Sequence, residues 1–144
     1  MRYFLGIVLP FLIFSVCQAE IVTVTVNSAE VLTDASKLGT FVVLEAPKFY
    51  PLSVKGERDD YYQVRDYLGR KGWVEKSLVG DTKGVVIEVY RANIRKGPGT
   101  DHPIVFRALR GVAFKVLREK DGWLEVQHES GKTGWVSRPL TWGQ

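Results

Sequence analysis

Asp121-Gly122-Trp123-Leu124-Glu125-Val126, followed by Gly131-Lys132-Thr133-Gly134-Trp135-Val136, is the stretch whose pattern points to a fold. Leu124 and Val126 alternate with Trp123, Glu125 and Gln127, the period-two signature of a strand with one buried face. Asp121-Gly122 before this run and Ser130-Gly131 after it supply turn residues. Working outward, Ile104-Val105-Phe106 and Ala113-Phe114-Lys115-Val116-Leu117 are further short apolar runs. Between the strands, Gly97-Pro98-Gly99-Thr100 places proline and glycine where a type II turn needs them. No segment carries a 3.6-residue period. Five or so short strands in about 60 residues, curled to hide their edges, predict an all-β chain built from small barrels.

The pattern occurs twice. Displaced by 62 residues, Leu52, Val54, Gly72, Trp73, Val74 and Leu78 fall on Phe114, Val116, Gly134, Trp135, Val136 and Leu140, with no gap needed from Glu30 to Leu78. Before Glu30, Val22, Val24 and Val26 fit Val85 and Ile87 only after a one-residue shift. Two units are expected, 20–80 and 84–144, joined at Gly80-Asp81-Thr82-Lys83-Gly84. A lone unit of about 60 residues buries only about 60% of its unfolded surface, so the units are expected to pack on each other or on a partner.

The second unit reads Ala92-Asn93-Ile94-Arg95-Lys96-Gly97-Pro98-Gly99-Thr100, then Asp121-Gly122-Trp123-Leu124-Glu125-Val126, then Gly134-Trp135-Val136. It resembles the bacterial SH3 (SH3b) family, with an Asn-x-Arg-x-Gly-Pro opening, a Gly-Trp strand and a closing Gly-Trp-Val. The first unit is similar but degenerate: Gly72-Trp73-Val74 is kept, while Val31-Leu32-Thr33-Asp34-Ala35 stands where the opening motif belongs. The resemblance implies five- to six-stranded SH3-like barrels and a non-catalytic role, often the targeting of wall peptidoglycan beside a hydrolase.

The residues offer little for catalysis. Cys17 is the one cysteine, and the two histidines, His102 and His128, have no metal-site or triad spacing. The carboxylates are interleaved with lysines and arginines, as on solvated strand faces. No enzyme activity, metal or cofactor is expected. Asn93 is read as a turn residue and Ile94 as core; Arg95, one residue on, is expected on the open face. Trp73 and Trp135 are read as packing residues of a barrel-closing strand. Trp123, among polar neighbours, is a candidate contact surface, with a barrel lid or an inter-unit contact as the alternatives, and Trp142 is a candidate anchor for the tail.

Charge separates the halves. Glu20 to Thr82 holds 8 Lys+Arg against 10 Asp+Glu, whereas Lys83 to Gln144 holds 11 against 6. The basic half suits an anionic partner at Tyr90, Arg91, Arg95, Lys96 and Trp123, the candidate ligand-binding set. Docking of the acidic half on the basic half is the other reading of the same numbers.

At the N-terminus, Arg2 precedes an uncharged apolar run from Tyr3 to Val16 and then Cys17-Gln18-Ala19. This is the layout of an export signal, 1–19, cleaved before Glu20. A lipoprotein cut before Cys17 and an uncleaved anchor are the alternatives. Export to the periplasm or envelope argues against nucleic acid despite a pI of about 9.2, and no membrane span is expected after cleavage. Peptidoglycan or an anionic envelope polymer is the expected partner. A scaffold recognising another exported protein is the alternative, and the oligomeric state is left open.

Overall fold

The structure is a computed structural model that describes residues 19–144. Residues 1–18 of the expected export segment, Cys17 included, fall outside the described residues. Among them the fold is all-β. The first half contributes β1 (Ile21–Val24), β2 (Ser28–Leu32), β3 (Val42–Pro47), β4 (Pro51–Arg58), β5 (Tyr61–Arg65), β6 (Lys71–Glu75) and β7 (Val79–Gly80). The second contributes β8 (Gly84–Ile87), β9 (Arg91–Arg95), β10 (Ile104–Leu109), β11 (Ala113–Lys120), β12 (Trp123–Gln127), β13 (Thr133–Ser137) and β14 (Thr141–Gly143). A 3-10 turn precedes β7 at Lys76–Leu78 and another precedes β14 at Arg138–Leu140. No helix of the described residues is long and apolar enough to cross a membrane.

The strands form two antiparallel seven-stranded sheets, in the orders β3-β2-β6-β5-β4-β1-β7 and β10-β9-β13-β12-β11-β8-β14. The second order is the first advanced by seven elements. Each sheet wraps an apolar cluster made by the alternation seen in the sequence: Val31, Leu52, Val64 and Val74 in the first, Ile94, Phe114, Leu124, Val126 and Val136 in the second.

The two sheets share an apolar junction. All four residues of β8 are buried. Val85 and Ile87 point into the second cluster, while Val86 joins the first together with Ala113, and Trp142 packs against it. Burial on both faces explains why Val85-Val86-Ile87 is continuously apolar where other strands alternate. The approach is close enough to require glycine at Gly84. A Cβ there would lie 2.3 Å from the Phe49 carbonyl oxygen and 2.7 Å from Thr23 Cγ2. The expected packing of one unit on the other is present, and Trp142 is its tail anchor.

Cross-strand register corrects the sequence alignment. Leu32 pairs with Trp73 as Arg95 pairs with Trp135, and Leu32 faces Val42 as Arg95 faces Ile104. Ala29 and Val31 take the buried positions that Ala92 and Ile94 take in β9. The displacement is therefore 63 residues through Leu32 and 62 from Val42 onward, not 62 from Glu30. The extra residue lies in the loop after β2. Glu30-Val31-Leu32, rather than a motif starting at Val31, stands opposite Asn93-Ile94-Arg95.

The expected type II turn at Gly97-Pro98-Gly99-Thr100 also differs. Gly99 N–H donates to the Gly97 carbonyl at 3.0 Å and Gly99 has φ +157°, far from the value near +80° that a type II turn requires. The His102 ring lies against Gly97, where a Cβ would sit 2.6 Å from it, so the loop closes on the imidazole instead.

Candidate functional site

One face of the second sheet is held outside its apolar cluster by strand alternation. Register places Arg118 beside Glu125, Glu125 beside Trp135, Trp135 beside Arg95 and Arg95 beside Ile104, a single row crossing β11, β12, β13, β9 and β10. A second row sets Lys120 beside Trp123 and Trp123 beside Ser137. Beyond them Arg107 Nε donates to Asn93 Oδ1 at 3.2 Å, and Arg91 pairs with Leu109.

Each member of the long row is fixed by its neighbours. Arg118 donates from Nε and Nη2 to Glu125 Oε2, at 3.0 and 2.9 Å, and its guanidinium lies 5.1 Å from the centroid of the Trp135 ring. Arginine suits this place because its planar head can stack on an indole while donating in-plane to a carboxylate. Trp135 is only 6% exposed, yet it belongs to neither apolar cluster. Trp135 is thus buried as expected, with the Arg118 guanidinium over its ring, and half-buried Trp73 lies likewise 4.9 Å beneath Arg58. Arg95 donates from Nη1 to the carbonyls of Thr100 and His102, at 3.1 and 2.9 Å, and thereby ties the following loop to β9.

The expected ligand set is distributed along this face. Tyr90, 78% exposed, and Arg91 lie at the start of β9; Lys96, also exposed, follows its other end. At about 3.3 Å per residue the two ends are some 13 Å apart, so Tyr90 and Lys96 do not converge on one point. Arg95 is half-buried and committed to its loop. Trp123 is half-buried on the outer face, outside both apolar clusters, rather than in the junction. Asn93 serves a strand-face arginine, not a turn.

Arg107, Arg118 and Lys120 extend this surface and were not singled out by the sequence. Arg118 was hidden by a bulge. Period-two counting from Phe114 and Val116 puts Arg118 inward, but the register slips between Val116 and Arg118, and the extra residue Leu117 turns Arg118 outward.

A second feature missed in the sequence is in the first sheet. Asp66 is 2% exposed, not on a solvated strand face. It accepts from the Tyr50 hydroxyl at 2.9 Å, Arg70 Nε at 2.8 Å, and the backbone N–H groups of Leu68 and Arg70 at 3.1 and 2.8 Å. Burial, then the hydrogen bond to and charge of Asp66, hold the Tyr50 hydroxyl far above the ordinary tyrosine range. For Arg70 burial opposes the charge, but the bonds to Asp66 and Tyr50 outweigh it and raise the pKa. The position matching Asp66 is His128: both begin a turn in which their own N–H donates to the carbonyl four residues on. The imidazole there sits edge-on to Phe114 at 5.7 Å and meets the Ser130 hydroxyl at 2.9 Å.

Among the described residues no three His, Cys, Asp or Glu side chains cluster as metal ligands would. What the outer face offers is cations and indoles on a firm sheet. A groove of about 610 Å³ lies instead on the first sheet, bordered by Glu30, Glu45 and Glu75.

Residues 88–143 match the family model described as the bacterial SH3 domain. A 62-residue stretch is 31% identical to the "Probable cell wall amidase LytH" of Staphylococcus epidermidis, covering 42% of this chain and 21% of that protein. A 51-residue stretch is 35% identical to the "Putative N-acetylmuramoyl-L-alanine amidase YrvJ" of Bacillus subtilis, covering 35% of this chain and 10% of that one. The chain thus spans about a fifth or less of the length of the curated relatives it matches. Among solved structures, an NlpC/P60 family protein from Bacillus cereus superposes with a TM-score of 0.40 at 12% identity, over 85% of this chain and 56% of that one. The all-β second sheet and its motif strands agree with the match of residues 88–143 to the bacterial SH3 domain family.

Proposed function

We propose that this protein is an exported, non-catalytic pair of SH3-like barrels, the first degenerate. In this reading the second attaches the protein to peptidoglycan or another anionic polymer of the cell envelope. The observation that carries the proposal is the outer face of the second sheet, where Arg118, Lys120, Arg91 and Trp123 stand around the Arg118-Glu125-Trp135-Arg95 row. Arginine and lysine heads attract carboxylates or phosphates. Trp123 gives them an apolar surface on which a sugar ring or peptide stem can rest. Arg95 contributes by holding the loop that ends in Pro103 against β9. The relatives named as wall amidases support an envelope setting, where a binding module has a polymer to grip.

The test is co-sedimentation of the purified protein with isolated wall sacculi. Retention is expected at low ionic strength, with progressive release by about 1 M salt, where charges more than about 3 Å apart are screened. A soluble fraction unchanged by sacculi at low salt would overturn the proposal.

A further inference from the structure

We propose that a second copy of this chain docks on the molecule, the β10 edge of one copy pairing with the β3 edge of the other. Each sheet ends on a strand with one ladder neighbour: β3 has only β2, and β10 only β9. Such an edge presents unpaired N–H and C=O groups and templates addition of another strand unless it is blunted. Neither edge is shielded by a lysine on the strand itself, and both carry bare apolar side chains. Val42 is 51% exposed beside Phe41 at 77%, while Val105 is 48% and Leu109 55% exposed along β10.

Charge identifies the occupant. Glu30 of β2 and Glu45 of β3 are directly opposed across the first edge, both exposed and neither in an ion pair among the described residues. Ser28 Oγ donates to Glu45 at 2.8 Å, and the nearest basic residue in the groove, Lys37, is bound at 2.8 Å to Glu75. Like charges opposed across two strands are unfavourable and are relieved by a cation from elsewhere. At the second edge, Arg107 of β10 and Arg91 of β9 are exposed and have no carboxylate within ion-pairing distance among the described residues. Within one copy the two edges do not pair, so the acidic and basic edges are both available to another molecule. Apolar contact and backbone pairing supply adhesion; the opposed charges set which edge meets which.

The experiment is sedimentation of the purified protein over a concentration series at low and high salt, without wall material. A mass above one chain that grows with concentration at low salt, with at least a tenfold weaker apparent Kd at about 1 M salt, is expected. Glu30→Gln with Glu45→Gln should sediment as single chains, as should Arg91→Gln with Arg107→Gln. An equimolar mixture of the two variants should associate again, because each supplies the edge the other lacks. The Glu30/Glu45 variant should still bind sacculi, which separates this proposal from the one above. Single chains at every concentration, association unchanged in both variants, or a mixture that stays dissociated would each overturn it.

Discussion

The same row of positions crosses both sheets and is filled differently. In the second it reads Arg118, Glu125, Trp135, Arg95, Ile104; in the first, Gly56, Gln63, Trp73, Leu32, Val42. The tryptophan is kept and the charged members of the row are replaced by uncharged ones. The guanidinium above Trp73 comes instead from Arg58, across from Tyr61, and Arg58 is held by Asp34. Inside, the contrast reverses: the first sheet buries the Asp66 carboxylate and the Tyr50 hydroxyl, with Arg70 capping them from the surface, where the second has an imidazole against a phenyl ring. A common strand order thus carries its polar chemistry inward in one half and outward in the other. That is why we propose the binding role for the second half.

The largest expected effect of breaking this contrast is at Asp66. Asp66→Ala leaves the buried Tyr50 hydroxyl and the Leu68 and Arg70 N–H groups without their acceptor, while the exposed Arg70 head turns to water, and the loss should be about 2–3 kcal/mol. His128→Ala, at the matching turn, removes ordinary packing and should cost about 1 kcal/mol. Urea titrations followed by tryptophan fluorescence compare the two. Equal losses would mean that the buried network does not distinguish the halves.

Alkaline pH sharpens the same difference. Tyr50 keeps its proton in the fold well above the ordinary value, so the unfolded chain releases its proton first as pH passes about 10. The contribution is present below that pH and is lost as pH rises beyond it. Wild-type stability should therefore fall more steeply above about pH 10 than that of Tyr50→Phe, measured by denaturant titration at stepped pH. Parallel curves would remove Tyr50 from the explanation.

Much of the fold was legible in the sequence because strand alternation and the Gly-Trp-Val pairs are local signals. Ile94, Leu124, Val126 and Val136 sit inside as their period requires. The alignment error arose in a loop, where no pattern constrains the count: Leu32 could be matched to Arg95 only by its pairing with tryptophan. Arg118 was concealed by a bulge, a feature set by the partner strand. The role of Arg95 in tying its loop depends on two carbonyls whose direction the residue names do not reveal. Asp66 looked like any surface carboxylate because its partners Tyr50 and Arg70 meet it only through the fold, although Asp66 and Arg70 four residues apart around Gly69 mark a tight turn.

A smaller effect is expected at Arg95. Arg95→Ala should release the loop running from Lys96 to Pro103, raising amide hydrogen exchange there with a stability loss of about 1 kcal/mol. Arg95→Lys should not restore protection, since one ammonium replaces the planar head that reaches two carbonyls. Unchanged exchange in the loop would show that the two hydrogen bonds do not hold it. The first sheet, with Leu32 at that position, should show no such dependence on a side-chain donor.

The most direct measurement sets matched pairs of residues on the two outer faces against each other in co-sedimentation with isolated sacculi at low salt. Lys120→Ala with Trp123→Ala on the second sheet should weaken binding at least tenfold, which is about 1.4 kcal/mol. Arg58→Ala with Tyr61→Ala, at the corresponding positions on the first, should leave it within twofold. Loss of binding in the first-sheet pair, or retention in the second-sheet pair, would contradict assignment of the wall contact to the second half.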